Sequence, residues 1–191
     1  MPLSNTHQTL LETAENFVRT RGYSAFSYGD LAKSVGIRKA SIHHHFPTKA
    51  DLGIALVEGY TARFHDILAK IDLEAVTAPE KLSRYIEIYK ASLSDKMHCL
   101  CGMLSSDMTV LPGPVREGVT TFFVAQINWL AQTISIGQDR SEIIDELSPA
   151  QASHHLLATA QGATLLAWTL DDPSVFADAM AGVLNSFRPI E

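Results

Sequence analysis

The chain of 191 residues has only two cysteines, Cys99 and Cys101, and they lie two positions apart. Two cysteines at this spacing cannot form the disulfide framework of a small secreted protein. No stretch reaches the roughly 20 consecutive apolar residues that a membrane-spanning helix needs. The first residues also lack the basic start and the apolar centre of a signal peptide. These absences predict a cytoplasmic protein that does not enter the membrane.

The alternating apolar and polar pattern of β-strands is almost absent, whereas apolar residues recur at helical spacing along the whole chain. The sequence therefore predicts an all-α protein. The segment Pro112-Gly113-Pro114 is the clearest break between helices. The predicted helices cover about residues 4–21, 28–35, 38–46, 49–71, 79–94, 98–109, 114–136, 149–170 and 173–187.

Charge is divided unevenly along the chain. Residues 1–50 carry six Lys and Arg against three Asp and Glu, a net of +3, and residues 51–191 carry nine against eighteen, a net of −9. Residues 31–50 contain no acidic side chain at all. The N-terminal part therefore suits a polyanion such as DNA, although the chain as a whole is acidic. An acidic body would also orient the basic end toward the DNA.

Residues 27–46 have the pattern of a helix-turn-helix. Ser27 and Asp30 are spaced as a capping box, and Gly36 stands where the first helix needs a left-handed residue to end. The second helix opens with Arg38 and Lys39. A short helix with a basic start and an exposed face of hydrogen-bond donors suits phosphates and base edges in a major groove.

This stretch resembles the DNA-binding domain of the TetR/AcrR family of bacterial transcriptional regulators. The family pattern runs roughly T-x-x-x-I-A-x-x-A-G-V-S-x-G-x-L-Y-x-H-F-x-x-K-x-x-L. It appears here as Ser27, Leu31, Ala32, Val35, Gly36, Ile37, Ile42, His45, Phe46, Lys49 and Leu52. The resemblance implies an N-terminal three-helix helix-turn-helix domain, residues 1–48, and a C-terminal helical bundle for ligand binding and dimerisation, residues 49–191.

The resemblance also implies a set of DNA contacts, with departures from the family pattern. The usual serine, glycine and tyrosine of the recognition helix are replaced by Arg38, Ala40 and His43. The tyrosine normally touches a phosphate, and a histidine N–H could replace its hydroxyl. The expected DNA-contacting residues are Ser27, Tyr28, Arg38, Lys39, Ala40, Ser41, His43, His44 and Lys49.

The last two predicted helices, residues 149–170 and 173–187, are rich in small residues and nearly uncharged at 158–168 and 181–184. A helix that is apolar on more than one face needs a second partner, and an intramolecular core is the plain alternative. In the family this helix pair forms a four-helix interface with a second copy of the chain. We therefore expect a homodimer that reads a pseudo-palindromic operator in double-stranded DNA.

The segment from His98 to Met103 is the most suggestive place for sensing. Its Cys-Leu-x-Gly start resembles a branch of the family that responds to electrophiles or oxidants through a cysteine, at the position of Cys99. A thiol near a helix N-terminus has its thiolate stabilised, and His98 could add to this. Simple packing is the competing interpretation, because free cysteines are usually buried. Cys101 would point to a different side of the same helix, so a disulfide between the two cysteines is not expected.

An effector pocket lined by aromatic and a few polar side chains is also expected in the C-terminal part, although each of these residues could equally belong to the core. No metal or cofactor is predicted, since successive histidines such as His43, His44 and His45 diverge by ~100° around a helix. The effector is an unknown small molecule. The candidate pocket residues are Tyr60, Phe64, Tyr85, Tyr89, Phe122, Phe123, Gln126, Trp129 and Trp168.

The sequence thus favours a transcriptional repressor, cytoplasmic and associated with the nucleoid when bound, that a small molecule or electrophile releases from its operator. Activation instead of repression stays open. The alternatives from other classes are a thiol-dependent enzyme built on a helical bundle and an adaptor whose helix-turn-helix binds protein. No orienting third group, phosphate loop or metal signature supports the enzyme, and the acid-free basic stretch disfavours the adaptor.

Overall fold

Helices account for most of the structure, a computed structural model that describes the backbone of residues 3–189 and the side chains of residues 6–189. No strand occurs within that part of the chain. The helices are α1 (Leu3–Arg21), α2 (Tyr28–Val35), α3 (Lys39–His45), α4 (Lys49–Glu74), α5 (Ala78–Ser94), α6 (Leu100–Ser106), α7 (Gly113–Asp139), α8 (Pro149–Thr169) and α9 (Ser174–Ser186). The predicted all-α class is confirmed.

The predicted helices lie where the observed ones do, but α4 and α7 each continue three residues beyond their predicted ends, to Glu74 and Asp139. The largest difference in length is near residue 100. A helix over 98–109 was expected, but α6 covers only Leu100–Ser106. Cys99 has φ −56° and ψ 127°, outside the helical region, and acts as the N-cap of α6. After Ser106 the chain forms turns up to Val110, whose side chain is exposed. The prediction from apolar spacing made this helix too long. Such spacing does not reveal that a residue within an apolar segment, here Cys99, is the N-cap.

The chain packs as two compact units. The head unit comprises residues 3–63 and 99–122, and the body unit comprises residues 64–98 and 123–189. Helices α4 and α7 each contribute residues to both units. Residues 49–63 thus pack with the head unit, whereas the sequence placed a domain boundary at residue 48; that functional boundary stays a prediction.

The core of the head unit joins α1, α2 and α3 through fully buried side chains, among them Leu10 of α1, Leu31 of α2 and Ile42 of α3. Burying aliphatic side chains of this size contributes roughly 1.5–3 kcal/mol each. In the body unit α8 packs mainly against α9, and both contact α5. Fully buried Tyr85 of α5 and Leu156 of α8 belong to that core.

Membrane insertion is not supported by any helix between residues 3 and 189. None of the helices in that range combines the length and the apolar character needed to cross a bilayer.

Replacing Gly36 by alanine tests the turn of the helix-turn-helix. Gly36 has φ 75° and ψ 31°, and an added Cβ would meet no atom within 4 Å. We therefore expect Gly36→Ala to lower the free energy of unfolding by about 1 kcal/mol through the left-handed backbone alone. Urea unfolding measures this change. Gly113→Ala is the control, because Gly113 has equally open space and no positive φ; equal losses in both variants would contradict the argument.

Candidate nucleic-acid interface and regulatory site

Helix α2 starts with a complete capping box. The Ser27 hydroxyl accepts hydrogen bonds from the N–H groups of Gly29 (3.2 Å) and Asp30 (3.3 Å), and the Asp30 carboxylate accepts from the Ser27 N–H at 2.8 Å. Donation from the Ser27 hydroxyl and N–H lowers the pKa of the Asp30 carboxyl below its ordinary value. The Ser27 side chain thus fixes the start of α2, the role that its spacing to Asp30 predicted.

Helix α3 presents a continuous basic and polar surface. Ile42 is its fully buried residue, and Arg38, the N-cap, has a side chain that makes no cap hydrogen bond. Because one side of a seven-residue helix is anchored in the core, the opposite side faces outward. The exposed residues on and before α3 are Arg38, Lys39, Ala40, His43 and His44, and Ser41 is half-buried.

His43 replaces the tyrosine of the family pattern and is held in a defined orientation. Its Nδ1 lies 3.0 Å from the carbonyl oxygen of Pro47, and its ring packs edge-on against Tyr28 at 4.9 Å between centroids. A carbonyl can only accept, so Nδ1 donates the proton in this hydrogen bond. Nε2 is then an acceptor in the neutral ring and a donor in the protonated ring. His43 can therefore donate to a phosphate through Nε2 when it is protonated.

The neighbouring histidines point in different directions. The ring of His45 lies 5.9 Å from His7 of α1, and the His7 ring lies 4.8 Å from Phe46. Burial, with further contributions from His44 and His7, lowers the pKa of His45. Within residues 3–189 no group of three His, Cys, Asp or Glu side chains is arranged to hold a metal ion. His45 is thus an interior contact of the head unit, whereas His43 and His44 remain on the surface.

Tyr28 and Lys49 do not face outward as the family pattern led us to expect. Tyr28 is buried, and its hydroxyl lies 2.9 Å from the carbonyl oxygen of Phe46 and 2.5 Å from that of Thr48. Burial, with smaller contributions from Asp51 and Tyr23, raises the pKa of Tyr28 to about 12. A phosphate contact would have to break these hydrogen bonds, so we leave Tyr28 out of the proposed interface.

Lys49 is turned into the head unit in the same way. Its ammonium donates to the carbonyl oxygens of Tyr23 (2.6 Å) and Phe26, and it lies 4.5 Å and 4.3 Å from the centres of their rings. In return, the Tyr23 hydroxyl donates to the Lys49 carbonyl at 2.7 Å. Desolvation lowers the pKa of Lys49. The side chain therefore ties the loop before α2 to the start of α4, and we also leave it out of the interface.

Cys99 lies in the head unit beside α4, and the residue is buried, with 6% of its surface exposed. Its Sγ accepts a hydrogen bond from the Gly102 N–H at 3.4 Å, and its side chain is hydrogen-bonded to the hydroxyl of Tyr60. Burial, followed by the proximity of Cys99, raises the pKa of Tyr60 well above its ordinary value. The guanidinium groups of Arg19 and Arg63 lie 5.7 Å and 5.9 Å from the Tyr60 ring centre. Tyr60 thus links the thiol to two cationic side chains.

Both ends of α6 are attached to the rest of the head unit. Cys99 meets Tyr60 at its start, and at its end the Asp107 carboxylate accepts from the Ser24 N–H at 3.1 Å, in the loop between α1 and α2. Cys101 is fully buried, and burial raises the pKa of its thiol above the ordinary value. Cys101 therefore stays a protonated packing residue, and Cys99 is the better candidate for reactivity.

The body unit contains a second group of candidate residues, centred on Gln126 of α7. The amide oxygen of Gln126 accepts from the hydroxyls of Tyr85 (2.6 Å) and Tyr89 (3.1 Å), both on α5. Gln161 of α8 donates to the Tyr89 hydroxyl at 3.1 Å. The Trp129 ring stacks on Tyr85 with centres 5.7 Å apart and planes at 24°. These side chains form one hydrogen-bonded aromatic cluster.

The other predicted pocket residues of the body unit are dispersed. Phe64 is buried with its ring edge-on to Tyr85 at 6.3 Å, and Phe123 is half-buried. His98 is buried against the exposed Trp168 with ring centres 4.7 Å apart. Phe122, in the head unit, packs 5.4 Å from Tyr60. The predicted set thus separates into a group around Cys99 in the head unit and a group around Gln126 in the body unit.

Three participants escaped the sequence analysis. Arg19 and Arg63 were not singled out, because nothing in their spacing pointed to the ring of Tyr60. Gln161 stands in the small-residue stretch at 158–168, which we assigned to dimerisation. A polar side chain within such a stretch was the available signal, because a buried amide needs a hydrogen-bond partner.

Comparison with known proteins now decides the family. Residues 10–56 match the family described as bacterial regulatory proteins, tetR family, and residues 78–183, more than half of the chain, match the tetracyclin repressor-like C-terminal domain. The chain belongs to the tetR family. It is therefore a DNA-binding regulator of transcription, and the resemblance drawn from residues 27–52 is confirmed.

Individual tetR relatives agree with this assignment. The transcriptional regulator AcuR of Cereibacter sphaeroides is 30% identical over 120 residues, which are 61% of this chain and 55% of AcuR. The transcriptional repressor NemR of Escherichia coli K12 is 25% identical over 193 residues, covering 98% of this chain and 89% of NemR. A crystal structure of a TetR-family regulator from Agrobacterium tumefaciens superposes with a TM-score of 0.94 at 29% identity, covering 97% and 99% of the two chains.

Lys39 is exposed on α3, whereas Lys49 is turned into the head unit, and this difference predicts how each lysine affects the salt dependence of DNA binding. We expect Lys39 to contact one phosphate, so Lys39→Ala should reduce the magnitude of the slope of log affinity against log salt by about one unit on a random-sequence duplex. Lys49→Met should leave the slope unchanged and lower the free energy of unfolding by about 2 kcal/mol, because its charge-assisted hydrogen bonds are lost. Filter binding over a salt series and urea unfolding measure the two effects. A lower slope in Lys49→Met would return Lys49 to the interface.

Proposed function

We propose that the protein is a homodimeric repressor that a small molecule or an electrophile releases from a pseudo-palindromic operator. The observation that carries the proposal is the exposed face of α3, where Arg38, Lys39 and His43 are exposed while Ile42 is buried. Basic and donor groups on a helix anchored in this way suit a major groove. NemR, described as a repressor, supports repression as the outcome. In this proposal the protein is cytoplasmic and lies on the nucleoid when it is bound to DNA. Residues 1–48 bind the operator, and residues 49–191 bind the effector and form the dimer.

The competing enzyme and adaptor functions find less support. A thiol-dependent enzyme needs a base beside its nucleophile, whereas the polar contacts of Cys99 within the head unit are the Tyr60 hydroxyl and the Gly102 N–H. An adaptor would have no use for a basic face on α3. The relatives are regulators of transcription, which favours the same conclusion.

Homodimerisation through α8 and α9 is the part of the proposal that brings two copies of α3 to one operator. On α8, Leu165 and Leu166 are more than half exposed, and Gly162 has open space where a Cβ would stand. On α9, Ala181 and Gly182 are exposed as well. Apolar and small residues on two adjacent helices make a surface that a second copy can cover closely.

Leu166→Glu tests this dimer surface. A glutamate there would be buried without a partner at the interface, and we expect the dimer to weaken roughly a hundredfold. Sedimentation velocity at micromolar concentration should show monomers and weaker DNA binding, because each monomer reads one half-site. Leu73→Glu is the control, since Leu73 of α4 is 88% exposed and lies outside α8 and α9. A dimeric Leu166→Glu variant would refute the assignment of α8 to the interface.

The thiol of Cys99 is the proposed point of attack for an electrophile. The Gly102 N–H stabilises negative charge on Sγ. Alkylation would also replace the hydrogen bond between Cys99 and Tyr60 with a bulkier group. Tyr60 lies on α4, and the guanidinium groups of Arg19 of α1 and Arg63 of α4, which both pair with Glu15, lie near its ring. Displacing this ring would therefore shift α4 against α1, which is packed on α2 of the helix-turn-helix.

Cys99→Ser is the direct test of thiol sensing. The variant should bind DNA like the parent protein and lose its response to N-ethylmaleimide, because serine keeps the hydrogen-bonding shape and lacks the nucleophile. Electrophoretic mobility shift with and without the reagent measures this. Cys101→Ser serves as the matched control and should keep the response, since Cys101 is fully buried with a raised thiol pKa. Release of Cys99→Ser by the reagent would eliminate Cys99 as the sensor.

A further inference from the structure

Gln126 carries a buried donor that its own cluster does not satisfy. The residue is 1% exposed, and its amide oxygen accepts from the hydroxyls of Tyr85 and Tyr89. Among the residues that the structure describes, no acceptor lies within hydrogen-bonding distance of its amide nitrogen Nε2. A buried donor of this kind destabilises a fold. The two phenols account for the amide oxygen of Gln126 but not for its N–H groups, so the donor calls for an explanation in function.

The orientation of the amide follows from the lengths of its hydrogen bonds. The 2.6 Å separation from the Tyr85 hydroxyl is typical of O–H···O and short for N–H···O. Gln161 donates to the Tyr89 hydroxyl, which leaves the single proton of that phenol for a further acceptor. Both observations place the oxygen of Gln126 toward the tyrosines. The two N–H bonds of Nε2 therefore point away from them.

The surroundings of Gln126 define what could meet this donor. The cluster offers flat rings, since Tyr85 stacks on Trp129 and meets the edge of Phe64. Its hydrogen-bonding members are two phenols, two amides and the indole of Trp129, all of them neutral. The indole donates to the Asp72 carboxylate at 2.9 Å, and that carboxylate is already paired with Lys81. A carboxylate bound there would be desolvated without a cation to compensate it. Of these side chains Gln161 and Trp129 are half-buried, so a compound would reach Gln126 by displacing one of them.

We propose that the effector is an uncharged compound with a carbonyl oxygen on a flat apolar skeleton, and that this oxygen accepts a hydrogen bond from the Gln126 amide. The inference rests on the proposed function, because it names the effector of that regulator. It assigns Gln126 as the residue that selects for an acceptor, with Tyr85 and Tyr89 as positioning residues that fix its amide. The aromatic rings contact the skeleton of the compound.

Two matched pairs of probes test the proposal: acetophenone against α-methylstyrene, and indan-1-one against 1-methyleneindane. Each pair keeps its shape and exchanges C=O for C=CH2. Binding is followed by tryptophan fluorescence of the full-length protein in a Trp168→Phe background, where Trp129 reports. The ketone of each pair should bind about tenfold more tightly than the alkene, the effect of one hydrogen bond to a buried donor. Equal affinities, or no ketone binding at roughly 10 mM, would overturn the proposal.

Two variants separate the hydrogen bond from general packing. Gln126→Met frees the hydroxyls of Tyr85 and Tyr89, so it is combined with Tyr85→Phe and Tyr89→Phe, and this triple variant should lose the preference for the ketone. Gln161→Met should keep the preference, because it removes a hydrogen bond to Tyr89 and leaves the Gln126 amide in place. A preference that persists in the triple variant contradicts the assignment. The comparison of probes on the parent protein decides the question even if a variant fails to fold. Benzoate is the third probe, and tighter binding of benzoate than of acetophenone would overturn the requirement for a neutral ligand.

A DNA-binding assay run in parallel distinguishes failure of this site from failure of the proposed function. Ketone binding with the expected preference but unchanged DNA affinity would uphold the site and contradict its regulatory role. Release of DNA by N-ethylmaleimide, with no preference in either probe pair, would uphold the regulator and refute the carbonyl site.

Discussion

The head unit depends on a set of buried hydrogen bonds to backbone carbonyl groups where α4 begins. The ammonium of Lys49 holds the carbonyls of Tyr23 and Phe26, while the hydroxyls of Tyr23 and Tyr28 hold those of Lys49, Phe46 and Thr48. Backbone N–H and C=O groups at helix ends and in loops need hydrogen-bond partners when they are buried. Here side chains provide them, and they fix the loop before α2, the end of α3 and the start of α4 together. The recognition helix therefore keeps its position relative to α4.

Sequence patterns were most informative where a local rule governs the structure. The capping box at Ser27, the left-handed Gly36 and the buried Ile42 of α3 all follow from spacing within one or two turns of helix. The same patterns misplaced Tyr28 and Lys49, because the direction of a long side chain depends on carbonyl groups from other segments. A family motif marks a position as important. It does not say whether the residue contacts DNA or holds the domain that does.

The polar clusters of the two units also could not be predicted from spacing within single helices. Tyr85 and Tyr89 lie four residues apart on one face of α5, so their proximity could be predicted. Their convergence on Gln126 and Gln161, from α7 and α8, depends on how helices distant in sequence pack. Arg19 and Arg63 are likewise 44 positions apart, and both lie near the ring of Tyr60. Spacing rules describe single helices, and they do not predict a cluster whose side chains come from several helices.

The two attachments of α6 make it a short lever within the head unit. The thiol end is joined to α4 and the carboxylate end to the loop ahead of α2. Seven residues of helix span only about 10 Å, so a tilt of about 10° at one end displaces the other by about 2 Å. A displacement of that size exceeds the tolerance of a hydrogen bond between a side chain and a base edge. If Cys99 is the sensor that we propose, a modification of only a few atoms there is large enough to move the loop ahead of α2 by more than a hydrogen bond tolerates.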